Sequence, residues 1–180
     1  MHSEKAKMLA GDLYDPSDPQ LKADRARARS LCRQLQGAEP GDHAALLQAL
    51  VGSAVRLAIT PPFFCDYGYN LKLGSDVYFN VNCVLLDVCE ISIGDHTLFG
   101  PGVHVYTALH PLDARERRTG LEYGRPVRIG NDVWIGGSAV ICPGVTIGDA
   151  TVIGAGSVVT RSLRAGVLAA GNPCREVRAI

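Results

Sequence analysis

The sequence predicts an all-β solenoid, a parallel β-helix of hexapeptide repeats, preceded by a helical segment. Three observations carry this. Ile129, Ile135, Ile141, Ile147, Ile153 and Val159 fall six residues apart without a miss. Glycine follows the aliphatic at Gly130, Gly136, Gly148 and Gly154. Four residues after the successive aliphatics stand Val133, Ala139, Val145, Thr151 and Ser157, all small. A period of six fits neither a helix of about 3.6 residues per turn nor a strand with a repeat of about 2. It fits a chain that turns a corner every six residues, with one large and one small inward slot. Successive coils then stack at the usual strand spacing of about 4.8 Å.

The same pattern exists upstream. Leu73, Phe79, Leu85 and Ile91 are six apart; the phase then slips by two, and Ile93, Phe99 and Val105 resume it. One solenoid is therefore expected from about residue 60 to residue 160, interrupted by Tyr106–Pro126. The expected organisation is a helical cap over residues 1–59 and a β-helix domain over 60–180 with a loop at 106–126.

The N-terminal third reads as helix. In "SDPQLKADRARARSLCRQLQ", Asp18 is placed as N-cap and Pro19 as first residue, and Leu21, Ala28, Leu31 and Leu35 form one apolar face. "GDHAALLQALVGSAVRLAI" reads as a second helix, with Asp42 as a candidate cap, and Thr60-Pro61-Pro62 as the join. Such a segment would cover the unpaired strand edges at the open end of the solenoid.

Composition excludes several classes. With Lys+Arg equal to Asp+Glu at 18 each, no charge balance favours nucleic acid or an anionic membrane. No apolar run approaches the ~18–20 residues of a spanning helix, and "MHSEKAKMLAG" lacks a signal peptide's apolar core, so a cytoplasmic location is expected. Cys65, Cys83 and Cys89 differ by 18 and 6 and are placed in the small inward slot; Cys174 is placed nearer the surface. No CxxC occurs, and no zinc-cysteine site is expected.

A perfect repeat expels some twenty residues only where the loop has a task. The loop "YTALHPLDARERRTGLEYGRP" holds His110, stiffened by Pro111. On spacing alone a solvated loop, with ARERR as surface charge, is the better reading.

The stretches "PPFFCDYGYN", "VYFNVNCVLLDV", "YTALHPLD", "GNDVWIGGSAVICPGVTIGD" and "AAGNPCREVR", with the N-terminal "MLAGDLYDPSDPQL", resemble the maltose O-acetyltransferase family and its galactoside and nodulation-type relatives. The resemblance spans nearly the whole chain. It implies a left-handed β-helix, a homotrimer with active sites between subunits, and acetyl transfer from acetyl-CoA to a sugar hydroxyl without a metal. His110 matches the family's catalytic histidine. Its chemistry suits the task, since a hydroxyl is a poor nucleophile and an imidazole of unperturbed pKa near ~6.5 takes its proton at neutral pH. A backbone N–H of a neighbouring coil is the expected oxyanion donor.

Asn80 matches the family's acceptor-site asparagine, although a corner-stacking asparagine is an equal reading of the residue alone. Asp66, Tyr78, Asp15 and Asp18 match acceptor positions, with Asp18 equally a helix cap. Tyr78 stands where maltose-type members carry phenylalanine. Trp134 matches a residue at the thioester end of the donor, where it would otherwise simply cover a coil face. Ala155 and Thr160 match residues flanking pantetheine. Arg161, Arg175 and Arg178 match the nucleotide end, Arg161 replacing a lysine.

Two other functions fit the fold class. One is a γ-type carbonic anhydrase, with His96, His104 and His110 as the histidines to be tested for zinc. The other is a non-catalytic assembly scaffold.

Overall fold

The computed structural model describes residues 3–52 and 56–180. Three helices precede the solenoid: α1 (Glu4–Ala10), α2 (Pro19–Gly37) and α3 (His43–Val51). Ser3 caps α1, and Gly11 at φ 80° ends it. Asp18 caps α2 by accepting N–H bonds from Gln20 and Leu21, with Pro19 opening the first turn. Leu21, Ala28, Cys32 and Leu35 are its buried face, and Leu31 packs half-buried beside them. Asp42 makes no capping bond; it ends a short 3₁₀ turn, Pro40–Asp42, that leads into α3. The second helix is also shorter than its sequence suggests, because Gly52 in the left-handed region terminates it. The expectation of helix over Ser53–Val55 lies outside the described residues.

The solenoid starts upstream of the expected join, with β1 (Leu57–Ile59), β2 (Phe63–Cys65) and β3 (Leu71–Leu73) as the first coil. β4 (Val77–Phe79), β5 (Cys83–Leu86) and β6 (Ile91–Ile93) form the second. β7 (Leu98–Phe99) and β8 (His104–Tyr106) begin the third, which then leaves the solenoid. The excursion carries β9 (Ala108–Leu109), a capped turn of helix α4 (Ala114–Arg117) and β10 (Tyr123–Gly124), and returns at β11 (Val127–Ile129). β12 (Trp134–Ile135), β13 (Val140–Ile141) and β14 (Thr146–Ile147) follow, then β15 (Val152–Ile153) and β16 (Val158–Val159), and finally β17 (Val167–Gly171) and β18 (Cys174–Ala179). The three walls are parallel sheets in the orders β1-β4-β7-β12-β15-β17, β2-β5-β8-β13-β16 and β3-β6-β11-β14. β18 folds back antiparallel on β17 and closes the far end. That return buries Cys174, which had been expected near the surface.

Register explains the phase slip. Leu71 pairs with Ile91 and Cys65 with Leu85, so the first coils are 20 residues long, and later ones, such as Trp134 to Val152, are 18. The two extra residues lie at the corner after the middle wall, and the long loop leaves the third coil at that same corner. Cys83 occupies the small slot as expected, in line with Val103 and Ala139. Cys89 is buried but sits at the corner, two residues before Ile91, which holds the small slot of that wall with Leu71 and Val127, and Cys65 stacks on Leu85 and Val105 in the large slot. It faces Cys32 of α2 with sulfurs 4.0 Å apart.

The repeated glycines answer to crowding between coils. A Cβ on Gly130 would stand 2.8 Å from the Asp149 nitrogen, and one on Gly148 would stand 2.4 Å from that of Ala165. The same corner turns through the left-handed region at Asp76, His96, Asp132 and Ala150, which stack on one another, and the next corner does so at Asn82 and Ser138.

The corner after the middle wall is held by one buried carboxylate. Asp87 accepts backbone N–H bonds from Asp66 (2.9 Å), Tyr67 (2.9 Å) and Gly68 (2.7 Å). Burial pushes its carboxyl up to about 7, against the pull of the Tyr67 and Gly68 N–H groups.

Candidate active site

The loop is anchored as a hairpin clasped by the N-terminal arm. Leu109 pairs with Tyr123 and Ala108 with Gly124. Tyr14 exchanges backbone bonds with Glu122 (2.9 and 3.1 Å), and its hydroxyl donates to the Glu122 carboxylate at 2.8 Å. Burial, and the Glu122 charge beside it, push the Tyr14 phenol well above its ordinary value. Gly11 passes so close to the Gly124 carbonyl that a Cβ would stand 2.7 Å from it. His110 is exposed immediately beyond β9. Continuing the hairpin register one step sets it opposite Glu122. Pro111 behind it is buried, and Arg117 donates to the Pro111 and Leu112 carbonyls, fixing the turn.

Glu122 also lines a cavity of about 390 Å³ with Tyr14, Pro16, Ser17, Lys22, Arg25, Arg29, Asp66, Tyr67 and Val88. Asp66 is half-buried there; burial raises its pKa, opposed by Arg29 and Arg25. Arg25 donates to the Tyr67 hydroxyl (2.5 Å) and the Pro16 carbonyl (2.6 Å). Burial pushes the Tyr67 phenol up to about 12, with Arg25 opposing. The cavity thus combines carboxylate acceptors, guanidinium donors and two tyrosines, and its Glu122 is the residue that the hairpin register sets opposite the exposed His110. That is a hydrogen-bonding set for a polyhydroxylated molecule.

The expected site residues fall into separate groups. Asp66 and the root of the His110 loop share the corner after the middle wall. Asp15 and Asp18 flank the same cavity through Pro16 and Ser17. Asp15 accepts from the Ser17 amide and hydroxyl, which lower its pKa, and Asp18 is spent on the α2 cap.

Tyr78 and Trp134 lie on the outer face of the first wall, both in register with Leu98 between them. Trp134 continues through Val152 and Leu168 to Arg178. Trp134 is 56% exposed and Leu98 46%, leaving an apolar strip along the solenoid axis. Tyr78 shares a hydrogen bond with Thr60 at 3.1 Å. Asn80 sits at the next corner, in line with Gly100, Gly136 and Gly154, and its Oδ1 accepts from the Val81 N–H at 2.8 Å. Ala155 is exposed at this corner, and Arg175 pairs with Ala170 beside it. Thr160 and Arg161 follow β16 and stand across the middle wall from Ala155. Within one chain, therefore, His110 and Asp66 occupy one edge of the middle wall, while Asn80, Tyr78, Trp134 and Ala155 occupy the other.

The histidines considered for zinc do not converge. His96 sits at a corner 3.6 Å from Asp76, His104 contacts the Tyr106 hydroxyl on the outer middle wall, and His110 is on the loop. Among the described residues, no three His, Cys, Asp or Glu side chains cluster as metal ligands. None of the described helices is long and apolar enough to cross a membrane.

Tyr14, Arg25, Tyr67 and Glu122 were not singled out by sequence reasoning. They are scattered along the chain, and Arg25 reads as ordinary helix surface. No local signal marks them.

Residues 7–54 match the family described as "Maltose acetyltransferase hexapeptide capping motif", and residues 126–161 match "Bacterial transferase hexapeptide (six repeats)". Nodulation protein L of Rhizobium meliloti is 48% identical over 178 residues, covering 96% of this chain and 97% of that protein. The crystal structure of a maltose O-acetyltransferase from Clostridium difficile superposes with a TM-score of 0.97 at 44% identity, covering 99% of this chain and 98% of that one. A hexapeptide-repeat acetyltransferase of Vibrio cholerae, solved with acetyl coenzyme A, gives 0.92 at 37% identity, covering 99% and 98%.

Proposed function

Since the chain belongs to the hexapeptide-repeat acetyltransferases of the maltose acetyltransferase type, we propose that it moves the acetyl group of acetyl-CoA onto a hydroxyl of a maltose- or glucose-like sugar, with His110 as general base. The observation that carries this reading is the hairpin whose register, continued one step, sets His110 opposite Glu122, a residue that lines the cavity with Asp66 and Arg25.

The sugar sits in that cavity, its hydroxyls held by Asp66, Arg25 and Tyr67. His110 takes the proton of one hydroxyl as its oxygen attacks the thioester carbonyl carbon. The tetrahedral oxyanion is met by a backbone N–H of a neighbouring coil. Asn80, with Oδ1 already bound to the Val81 N–H, presents its amide N–H groups to the acceptor. Collapse breaks the carbon–sulfur bond, and the imidazolium returns the proton to the thiolate, releasing CoA and the sugar ester.

For the donor, Trp134 covers the thioester end, and Ala155 and Thr160 flank pantetheine. Arg161, Arg175 and Arg178 offer cations to the phosphates. Trp134, Ala155 and Arg175 lie toward the edge of the middle wall away from His110, and Arg178 continues the Trp134 row, whereas Thr160 and Arg161 follow β16 at the corner from which the His110 loop leaves, two coils further along. The proposal therefore includes a cytoplasmic trimer in which one chain's loop serves a donor held largely by its neighbour.

The test is release of free CoA thiol across a panel of neutral sugars, with the protein weighed after incubation with acetyl-CoA alone. Turnover with an unmodified protein mass is expected, because a base-assisted hydroxyl attacks the thioester directly. A stable acetyl adduct on Cys83 or Cys142 contradicts the direct mechanism, and no turnover with any sugar removes the sugar acceptor.

A further inference from the structure

Helix α2 carries Lys22, Arg25, Arg29 and Arg33 at spacings of three, four and four, all on one face. Ala26 stands in their midst. Among the described residues, these five alone line a depression of about 250 Å³. The small side chain of Ala26 leaves a floor, and four long cations form its rim. The depression adjoins the acceptor cavity, with which it shares Lys22, Arg25 and Arg29.

The charges here are unbalanced. Only two carboxylates line the adjoining cavity, Asp66 and Glu122, and Glu122 accepts the Tyr14 hydroxyl. Arg25 is held by Tyr67 and Pro16. Among the described residues, Lys22, Arg29 and Arg33 form no ion pair within 4.0 Å. Arg29 lies 5.9 Å over the Phe64 ring. The helix's other charged partner, Asp24, is taken by Lys5 and the Tyr69 hydroxyl, away from this rim. Like charges three and four residues apart destabilise a helix. A chain with equal numbers of acidic and basic residues has carboxylates to spare, yet places none against Arg33.

We propose that this cradle binds an anionic substituent of the acceptor, a phosphate, sulfate or carboxylate carried on the part of the molecule remote from the acetylated hydroxyl. The proposal rests on the acetyl-transfer reading above and narrows its substrate to acidic sugars. Guanidinium groups ranged along one helix face suit the planar and tetrahedral oxyanions, which accept paired N–H bonds.

The experiment compares kcat/KM for glucose with that for glucose 1-phosphate, glucose 6-phosphate, glucose 6-sulfate and glucuronic acid. It uses wild type, Arg33→Gln and Arg29→Gln, at low and high ionic strength. At least one anionic acceptor should exceed glucose by about tenfold at low salt, with the advantage shrinking as salt screens it. Arg33→Gln and Arg29→Gln should each lower the anionic-to-neutral ratio several-fold without raising the KM for acetyl-CoA. Anionic acceptors uniformly poorer than glucose, or a ratio untouched by either substitution, overturn the proposal. So does a raised KM for acetyl-CoA in Arg33→Gln, which would give the cradle to the coenzyme phosphates. Equilibrium dialysis of labelled glucose 6-phosphate separates the two readings. Binding that Arg33→Gln weakens, with no turnover of any acceptor, sustains the cradle and removes acetyl transfer.

Discussion

His110→Ala lowers kcat for acetyl transfer by about 10²–10⁴-fold while acetyl-CoA still binds. The range is that of a positioned general base removed from a reaction whose nucleophile is a hydroxyl. The side chain is exposed beyond β9 and takes no part in the hairpin pairing of Leu109 with Tyr123, so its truncation leaves the fold intact. A melting curve matching wild type, together with retained acetyl-CoA binding in a titration, isolates the chemical step. A variant with near-normal kcat removes His110 from the base role.

The largest effect on stability is expected at Asp87. Its two oxygens take three backbone N–H bonds from the stretch Asp66–Gly68, and the side chain is fully buried. Asp87→Ala strands those donors, two of them wholly buried. At about 1–3 kcal/mol per unsatisfied group, the loss is about 3–5 kcal/mol. Denaturant unfolding at fixed chain concentration measures it, and a loss within the scatter of ordinary surface substitutions would show that water replaces the carboxylate. The same corner carries Asp66 and Tyr67, so activity at permissive temperature falls as well.

The pH dependence follows in sign. The folded carboxyl titrates at about 7, above the ~3.9 of an unfolded aspartate, so the fold binds this proton more tightly. The stability that Asp87 contributes through titration is complete below about pH 4 and is lost as pH rises through about 7. Between pH 5 and pH 8, wild type should lose stability relative to Asp87→Asn, which has nothing to titrate there; parallel profiles contradict this.

The hexad was readable because each feature has a local cause. The large slot needs Ile135 or Ile141, and Gly130 and Gly148 answer to a neighbouring coil less than 3 Å from any Cβ. The α2 cap was readable for the same reason, since Asp18 bonds residues two and three along. Cys65 was misplaced because a period of 18 was assumed where the first coils run to 20. The return of β18 carries no hexad, so burial of Cys174 had no signal. His110 emerged from the interrupted repeat and the family resemblance together. Asp66 emerged from the resemblance, but its cavity partners Tyr14, Arg25, Tyr67 and Glu122 did not, because they meet only after the coil corner and the N-terminal arm are both in place.

The central claim is that one chain's His110 serves a donor held by another. Two inactive chains test it: His110→Ala, and Ala155→Trp, which fills the exposed corner proposed to flank pantetheine. Light scattering should first give about three times the 19.2 kDa chain mass for each. After subunit exchange at equal amounts, random assortment pairs an intact His110 with an intact donor corner at about one site in four, so the mixture should recover about a quarter of wild-type activity. A mixture as inactive as its parents, or a fully active monomer, contradicts the shared site.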